Sequence, residues 1–207
     1  MLKGYTTPRT PRGTSALAPA PPWHYACNCI AVEFQAEADR VAAFLPEGLV
    51  ADGGACAAYF AEWQFVTDAG DEYLDPGTSQ YTEAIFLVSA RYAGEPAAYC
   101  PFIFVNQDTA LMRGLAQGWP KQIGSVWITR PSTIVSPAAP IEGPGGRFGA
   151  SLSFKERRLA NAQVTLREQT LKRPVPGFER GINVRYFPEL EHGKHDRESE
   201  SLIVNGS

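Results

Sequence analysis

The 207-residue sequence holds no uninterrupted apolar run of the roughly 18 residues needed to span a bilayer. Its opening stretch, MLKGYTTPRTPRGTSALAPAPPW, lacks the continuous apolar segment of a secretory signal. Both absences predict a cytoplasmic chain that does not enter a membrane. Positive charge is also short: 19 Lys and Arg stand against 22 Asp and Glu, a net charge of -3. That leaves no broad basic surface for nucleic acid. Four cysteines without a secretion signal predict reduced thiols, not a disulfide framework. Lysine is scarce as well, at five residues, and four of them lie among polar or charged neighbours. The exception is Lys121, bracketed by Trp119, Pro120, Ile123, Val126 and Trp127.

Residues 1–22, rich in Pro, Thr, Ser, Ala and Arg, hold few large apolar groups to offset the cost of ordering, so a flexible arm is expected, able to pack on a neighbouring subunit. Residues 23–207 read as a single domain. CNCIAVEF alternates as a strand does, and AEADRVAAFLPEGL then takes helical spacing, with Val41, Phe44 and Leu45 on one face and Pro46 as the stop. ACAAYFAEWQFVT, YTEAIFLVSARY and AAYCPFIFVN are the strongest strand candidates and read as antiparallel neighbours. QDTALMRGLAQG predicts a second short helix, with Asp108 as N-cap and Gly118 as stop, delivering the chain directly to Trp119-Pro120-Lys121. SVWITRPSTIV, GRFGASLSF, LANAQVTLREQT, GINVRYF and SLIVNG supply further strands, and ELEHGKHDRESE reads as a solvated loop or hairpin. About eight strands and two short helices predict a mainly β (α+β) fold, an antiparallel sheet closed into a barrel or cone.

Three stretches together resemble the acetoacetate decarboxylase family. RGLAQGWPKQIGS is similar to its active-site segment, in which glycine, an aromatic, proline and a Schiff-base lysine follow a short helix; QYTEAIF resembles its tyrosine-x-glutamate strand; and FLPEGLVADGG resembles the corner after its first helix. The resemblance implies Lys121 as the nucleophile and Glu83 as the pocket carboxylate, with no cofactor and no metal, in a homo-oligomer acting on a small keto acid. Trp119, two residues from the nucleophile, is expected to line the cavity, with Gln122 and Glu62 as further substrate-binding candidates. The departures are specific. Gln122 stands where the decarboxylases carry a second lysine, their arginine near the first strand has no counterpart beyond His24, and SLIVNGS ends short of the family's usual C-terminus.

The chemistry demands a dry site. An ordinary lysine, with a pKa of about 10.4, is a neutral amine in only roughly 1 in 2,500 molecules at pH 7. Burial or a neighbouring cation corrects this, and acetoacetate decarboxylase is itself the usual example of both devices. With Gln122 in place of the second lysine, desolvation is the device left. The neutral amine forms an iminium with a ketone, and the iminium accepts the electrons of an adjacent breaking bond. Decarboxylation of a 3-oxo acid is the leading reading. The alternatives are an aldolase-dehydratase that condenses pyruvate with an aldehyde, and a catalytically silent barrel in which Lys121 pairs with a bound acid.

Plainer readings hold elsewhere. Glu62 also fits the outward residue of an alternating strand. Cys27 and Cys29, near His24, lack a second cysteine pair at metal-ligand spacing and read as small core thiols. His192 and His195 beside Asp196 read as part of a solvated turn. GPGG at 143–146 precedes strand texture, not the helix that a phosphate loop needs. Trp63, Phe65, Phe86, Phe102, Phe104, Trp119 and Trp127 read as core.

Overall fold

The computed structural model describes residues 1–169, 180–188 and 200–205, the last segment as backbone only. The chain runs β1 (His24–Gln35), α1 (Ala38–Ala42), β2 (Leu49–Val66), a 3₁₀ turn (Glu72–Leu74), α2 (Pro76–Ser79), β3 (Gln80–Tyr92), β4 (Glu95–Val105), α3 (Asp108–Gln117), β5 (Lys121–Ile123), β6 (Ser125–Ile128), β7 (Arg147–Phe154), β8 (Arg157–Thr165), β9 (Arg180–Arg185) and β10 (Glu200–Asn205). Residues 170–179 and, apart from Glu200, the stretch ELEHGKHDRESE with His192, His195 and Asp196 lie outside the described residues.

The mainly β expectation holds, but among the described residues the strands do not close into a barrel. Seven form one sheet in the order β1-β2-β3-β4-β9-β10, with β5 also on β4, and β6-β7-β8 form a separate three-stranded sheet. Among the described residues β1 and β10 remain as ends. Pairing is antiparallel except where β5 and β9 both add in parallel to β4. The strand expected over SVWITRPSTIV ends at Ile128.

Strand alternation gives the first sheet two different faces. Even-numbered side chains of β1 to β4, including Ile30, Ala58, Phe60, Ala84 and Phe104, meet Val126, Ala150 and Leu152 of the second sheet in the main core. Odd-numbered ones, including Trp63, Phe65, Tyr81 and Val105, face α3 and pack with Ala110 and Leu111. Burying this apolar surface, at about 25 cal/mol per Å², holds both layers on the sheet.

Helix α1 is shorter than its pattern suggests, ending before Pro46. Val41 buries itself against Cys56 and Val88 with Leu45 beside it, while Phe44 stays 47% exposed and meets the Phe102 ring edge-on. Phe102 and Trp127, expected in the core, are also exposed, Trp127 because the alternation of β6 buries Val126 and turns Trp127 outward. Residues 1–22 fold back on themselves: Thr6 exchanges hydrogen bonds with Ala18, Lys3 bridges to Thr10, and Tyr5 meets the Trp23 ring edge-on at 5.7 Å.

Candidate active site

Helix α3 positions the lysine. Its N-cap is Gln107, one residue before the expected Asp108: the Gln107 side chain accepts from the Ala110 N–H at 3.1 Å and donates to the carbonyls of Gly77 and Thr78, fixing the helix start to α2. Gly118 ends the helix as expected, in the left-handed conformation at φ 84°. Glycine is required there twice over, since a Cβ would also stand 2.9 Å from the Arg185 nitrogen of β9. The chain then doubles back. The Trp119 N–H donates to the Gly114 carbonyl, and the Lys121 N–H donates to the Trp119 carbonyl at 2.8 Å. This tight return places Lys121 opposite Ile103 at the start of β5.

Lys121 projects onto the α3 side of the sheet and is covered by the helix. A Cβ at Gly114 would lie 2.2 Å from Lys121 Cδ and 2.5 Å from Cε, so the absent side chain is the space the lysine occupies. Lys121 Nζ donates to Glu83 Oε2 at 2.6 Å, with the two side chains 8% and 4% exposed. Glu83 comes from the same face of β3, flanked across the sheet by Ala61 and Val105. The lysine and glutamate named from the sequence are thus brought into direct contact inside the protein. Such a charge-assisted contact provides a path for moving the proton from nitrogen to carboxylate, which leaves a neutral amine and a neutral acid.

A second cation shares this face, and sequence reasoning missed it. Arg113 of α3 is 1% exposed, and among the described residues none of its three side-chain nitrogens has a hydrogen-bond partner. Aromatic rings surround it: its Cζ lies 3.7 Å from the Phe65 centroid, 5.3 Å from Tyr25, 5.5 Å from Tyr81 and 5.6 Å from Trp23. Ring faces attract a cation, but they cannot replace the hydrogen bonds that a buried guanidinium gives up. Tyr81 touches both cations, since Lys121 Nζ is 5.4 Å from its centroid. Burial, then the Glu83 charge, push the Tyr81 phenol far above its usual range against the opposing pull of Arg113, so it stays neutral. Burial, with Glu83 adding to it and Lys121 opposing, does the same to the Cys100 thiol. The one clue to Arg113 in the sequence is its place on the buried stripe of α3 with Thr109, Ala110 and Gly114, where a charge is out of character.

Of the remaining candidates, Gln122 and Glu62 do not share the face of Lys121. Gln122, next in β5, points to the opposite face and lines an apolar hollow of about 350 Å³ with Phe86, Phe104, Leu152 and Phe154. A lysine in its place would therefore not stand beside Lys121 on that face, which corrects the expectation of a lost cationic neighbour. Glu62 also projects to that opposite face, where it accepts from Arg130 Nε at 2.6 Å. Trp119 is half-buried and fixes Lys121 through its backbone carbonyl. His24 pairs with Asp68 at the surface, so it does not replace the missing arginine. Cys27 and Cys29 are exposed, not core, because β1 is the end strand of the sheet. Among the described residues, no three His, Cys, Asp or Glu side chains gather as a metal would require, and no helix is long and apolar enough to cross a membrane.

Comparison with known proteins agrees with this geometry. Residues 6–205 match the family model described as acetoacetate decarboxylase (ADC). A structure of the enduracididine biosynthesis enzyme MppR complexed with the condensation product of pyruvate and imidazole 4-carboxaldehyde is 35% identical, covering 99% of this chain and 76% of the other, with a TM-score of 0.87. MppR complexed with pyruvate is 38% identical over 91% of this chain and 74% of the other, with a TM-score of 0.84. An acetoacetate decarboxylase-like enzyme from Sphingomonas wittichii RW1, at 21% identity over 97% and 78% of the two chains, shares the fold with a TM-score of 0.85. Comparison with curated proteins gave no match. The family match over nearly the whole chain, with the lysine and glutamate in contact, shows that the chain belongs to the acetoacetate decarboxylase family.

Proposed function

We propose that the protein is a Schiff-base lyase that condenses a pyruvate-type 2-oxo acid with an aldehyde. The observation that carries this reading is Arg113, a buried guanidinium without a hydrogen-bond partner among the described residues, on the face that holds Lys121 and Glu83. A carboxylate is the complement of a guanidinium, and bidentate pairing would satisfy the orphaned nitrogens. In a 2-oxo acid condensation the carboxylate survives, so a fixed cation stabilises ground state and product alike. In decarboxylation the carboxylate must be lost, and stabilising it would raise the barrier. MppR, similar over most of both chains, is described in complex with pyruvate and with its condensation product.

The sequence of steps uses groups already in contact. Glu83 takes a proton from Lys121, and the neutral amine attacks the C2 carbonyl. Loss of water gives the iminium. Glu83, once again a carboxylate, removes a C3 proton to form the enamine. Its C3 carbon attacks the aldehyde, water leaves, and hydrolysis of the imine frees the unsaturated 2-oxo acid and Lys121. Decarboxylation of a 3-oxo acid is the second reading, favoured by the family and by the intact lysine and glutamate pair.

Borohydride reduction separates the two. With pyruvate it should fix a secondary amine on Lys121, and with an added aldehyde an unsaturated 2-oxo acid should form without CO2. Release of CO2 from acetoacetate would favour the second reading, and no adduct with either acid would overturn both. Arg113→Met should raise the pyruvate concentration for half-maximal trapping about 10- to 100-fold while leaving trapping of acetone, which has no carboxylate, nearly unchanged. Equal effects on the two ketones would remove the carboxylate role from Arg113.

A further inference from the structure

Among the described residues, three side chains hold buried polar atoms without a hydrogen-bond partner: Arg113, Trp63 and Ser79. A buried donor left unpaired costs stability, and native proteins carry few of them. Ser79 ends α2, outside the sheet. The other two share one cluster, since Trp63 packs against Phe65 and Tyr81, two of the rings that flank Arg113. The imine chemistry gives Arg113 a substrate carboxylate but gives the Trp63 indole N–H nothing to bond.

Strand register places this indole beside the reacting groups. Trp63 of β2 stands opposite Tyr81 of β3, and Ala61, two residues back on the same face, stands opposite Glu83. Trp63 and Glu83 are therefore diagonal neighbours, about 7 to 8 Å apart across the strand pair and within reach of an aromatic side chain. Lys121 meets Glu83 from the other side, since β5 pairs with β4 and β4 with β3. Glu83 thus lies between the nucleophile and the indole. Tyr25 meets the indole edge-on, with centroids 5.9 Å apart, which holds the ring in place. An aromatic ring is at most a weak acceptor for its N–H.

We propose that Trp63 is a catalytic residue of the carbon-carbon bond-forming step, its Nε1–H donating to the oxygen of the incoming aldehyde. The role rests on the condensation proposed above for this site. When the enamine C3 attacks the aldehyde carbon, a C–C bond forms, the carbonyl π pair moves to oxygen and negative charge develops there. A donor already in place in a dry site stabilises that charge more in the transition state than in the bound aldehyde. Glu83, protonated when it removed the C3 proton, gives that proton to the alkoxide, and the iminium is restored at Lys121. Trp63 keeps its own proton throughout, as suits an indole, which only donates. Arg113 is held by the carboxylate and Lys121 Nζ by the imine, so neither takes this part.

The test uses the full chain with pyruvate and benzaldehyde, and the variant Trp63→Phe, which keeps an aromatic ring and removes the N–H. Exchange of the pyruvate C3 protons for deuterium needs only the imine and the enamine, and should stay within about twofold of wild type. The condensation rate at saturating benzaldehyde should fall about 100-fold, the usual loss for one oxyanion donor. Trp63→His, a smaller ring that restores an N–H, should recover at least about tenfold of that loss. An unchanged saturated rate with a raised half-saturating aldehyde concentration would make Trp63 a wall of the pocket and overturn the role. So would a loss of deuterium exchange equal to the loss of condensation, or a histidine variant no better than phenylalanine. Wild type that exchanges deuterium yet forms no product would overturn the condensation itself and this role with it.

Discussion

The two faces of the seven-stranded sheet are built from the same strands but solve opposite problems. One packs apolar side chains against the second sheet and leaves its charges at the margin, where Glu62 and Arg130 pair with the arginine 73% exposed. The other buries a lysine, a glutamate and an arginine beneath a helix. Surface pairs of the first kind contribute roughly 0 to 1 kcal/mol. Charges of the second kind cost several kcal/mol each to desolvate, so that face gives up stability in exchange for reactivity. Adjacent residues in the sequence fall on different sides of this division: Lys121 and Gln122 share a peptide bond but not a compartment.

The comparison breaks most visibly at Lys121. Lys121→Met should reduce borohydride-trapped pyruvate to background. It should also destabilise the protein by about 3 to 5 kcal/mol, because Glu83 is left as an unpaired buried carboxylate. The double substitution Lys121→Met/Glu83→Gln should regain most of that loss in chemical denaturation while remaining untrappable. A single variant as stable as wild type would mean that the pair is not desolvated as its burial indicates.

Gly114→Ala should come next. A methyl there occupies the place of Lys121 Cδ, so the lysine must swing off Glu83. Since a misplacement of about 1 Å costs on the order of 10² in rate, imine formation should fall by about that factor. Stability should fall too, because the roughly 1 kcal/mol by which alanine is the better helix former does not offset a buried Glu83 parted from its lysine. Trapping at the wild-type rate would show that Lys121 has a second productive rotamer.

Much of this architecture is legible in the sequence, and what is not has a physical reason. Alternation identifies β2, β3 and β4, and Gly118 marks the end of α3, because both signals are local. Lys121 stands out by its apolar neighbours, and Glu83 through a family resemblance. Arg113 does not, since its burial exists only once α3 lies across Phe65 and Tyr81 from distant strands. The exposure of Cys27 and Cys29 is equally non-local: nothing in CNCIAVEF says that β1 ends the sheet. Closure into a barrel is also a property of strand order, which composition and alternation do not encode.

The smallest effect expected is the most informative about the division between faces. Gln122→Lys introduces the second lysine of the decarboxylases, and an ammonium beside Lys121 would favour its neutral form. In this structure position 122 opens onto the apolar hollow lined by Phe86, Phe104, Leu152 and Phe154, and it is exposed at its outer end. A lysine there can lay its stem along the aromatic wall and keep its charge in water. Across the thickness of the sheet, with water screening the outer charge, its field at Lys121 is weak. The pH dependence of pyruvate trapping should therefore match wild type, with rates changed no more than about twofold. A profile displaced to lower pH would show instead that positions 121 and 122 communicate through the sheet, and the separation of its faces would no longer explain why glutamine is tolerated beside the nucleophile.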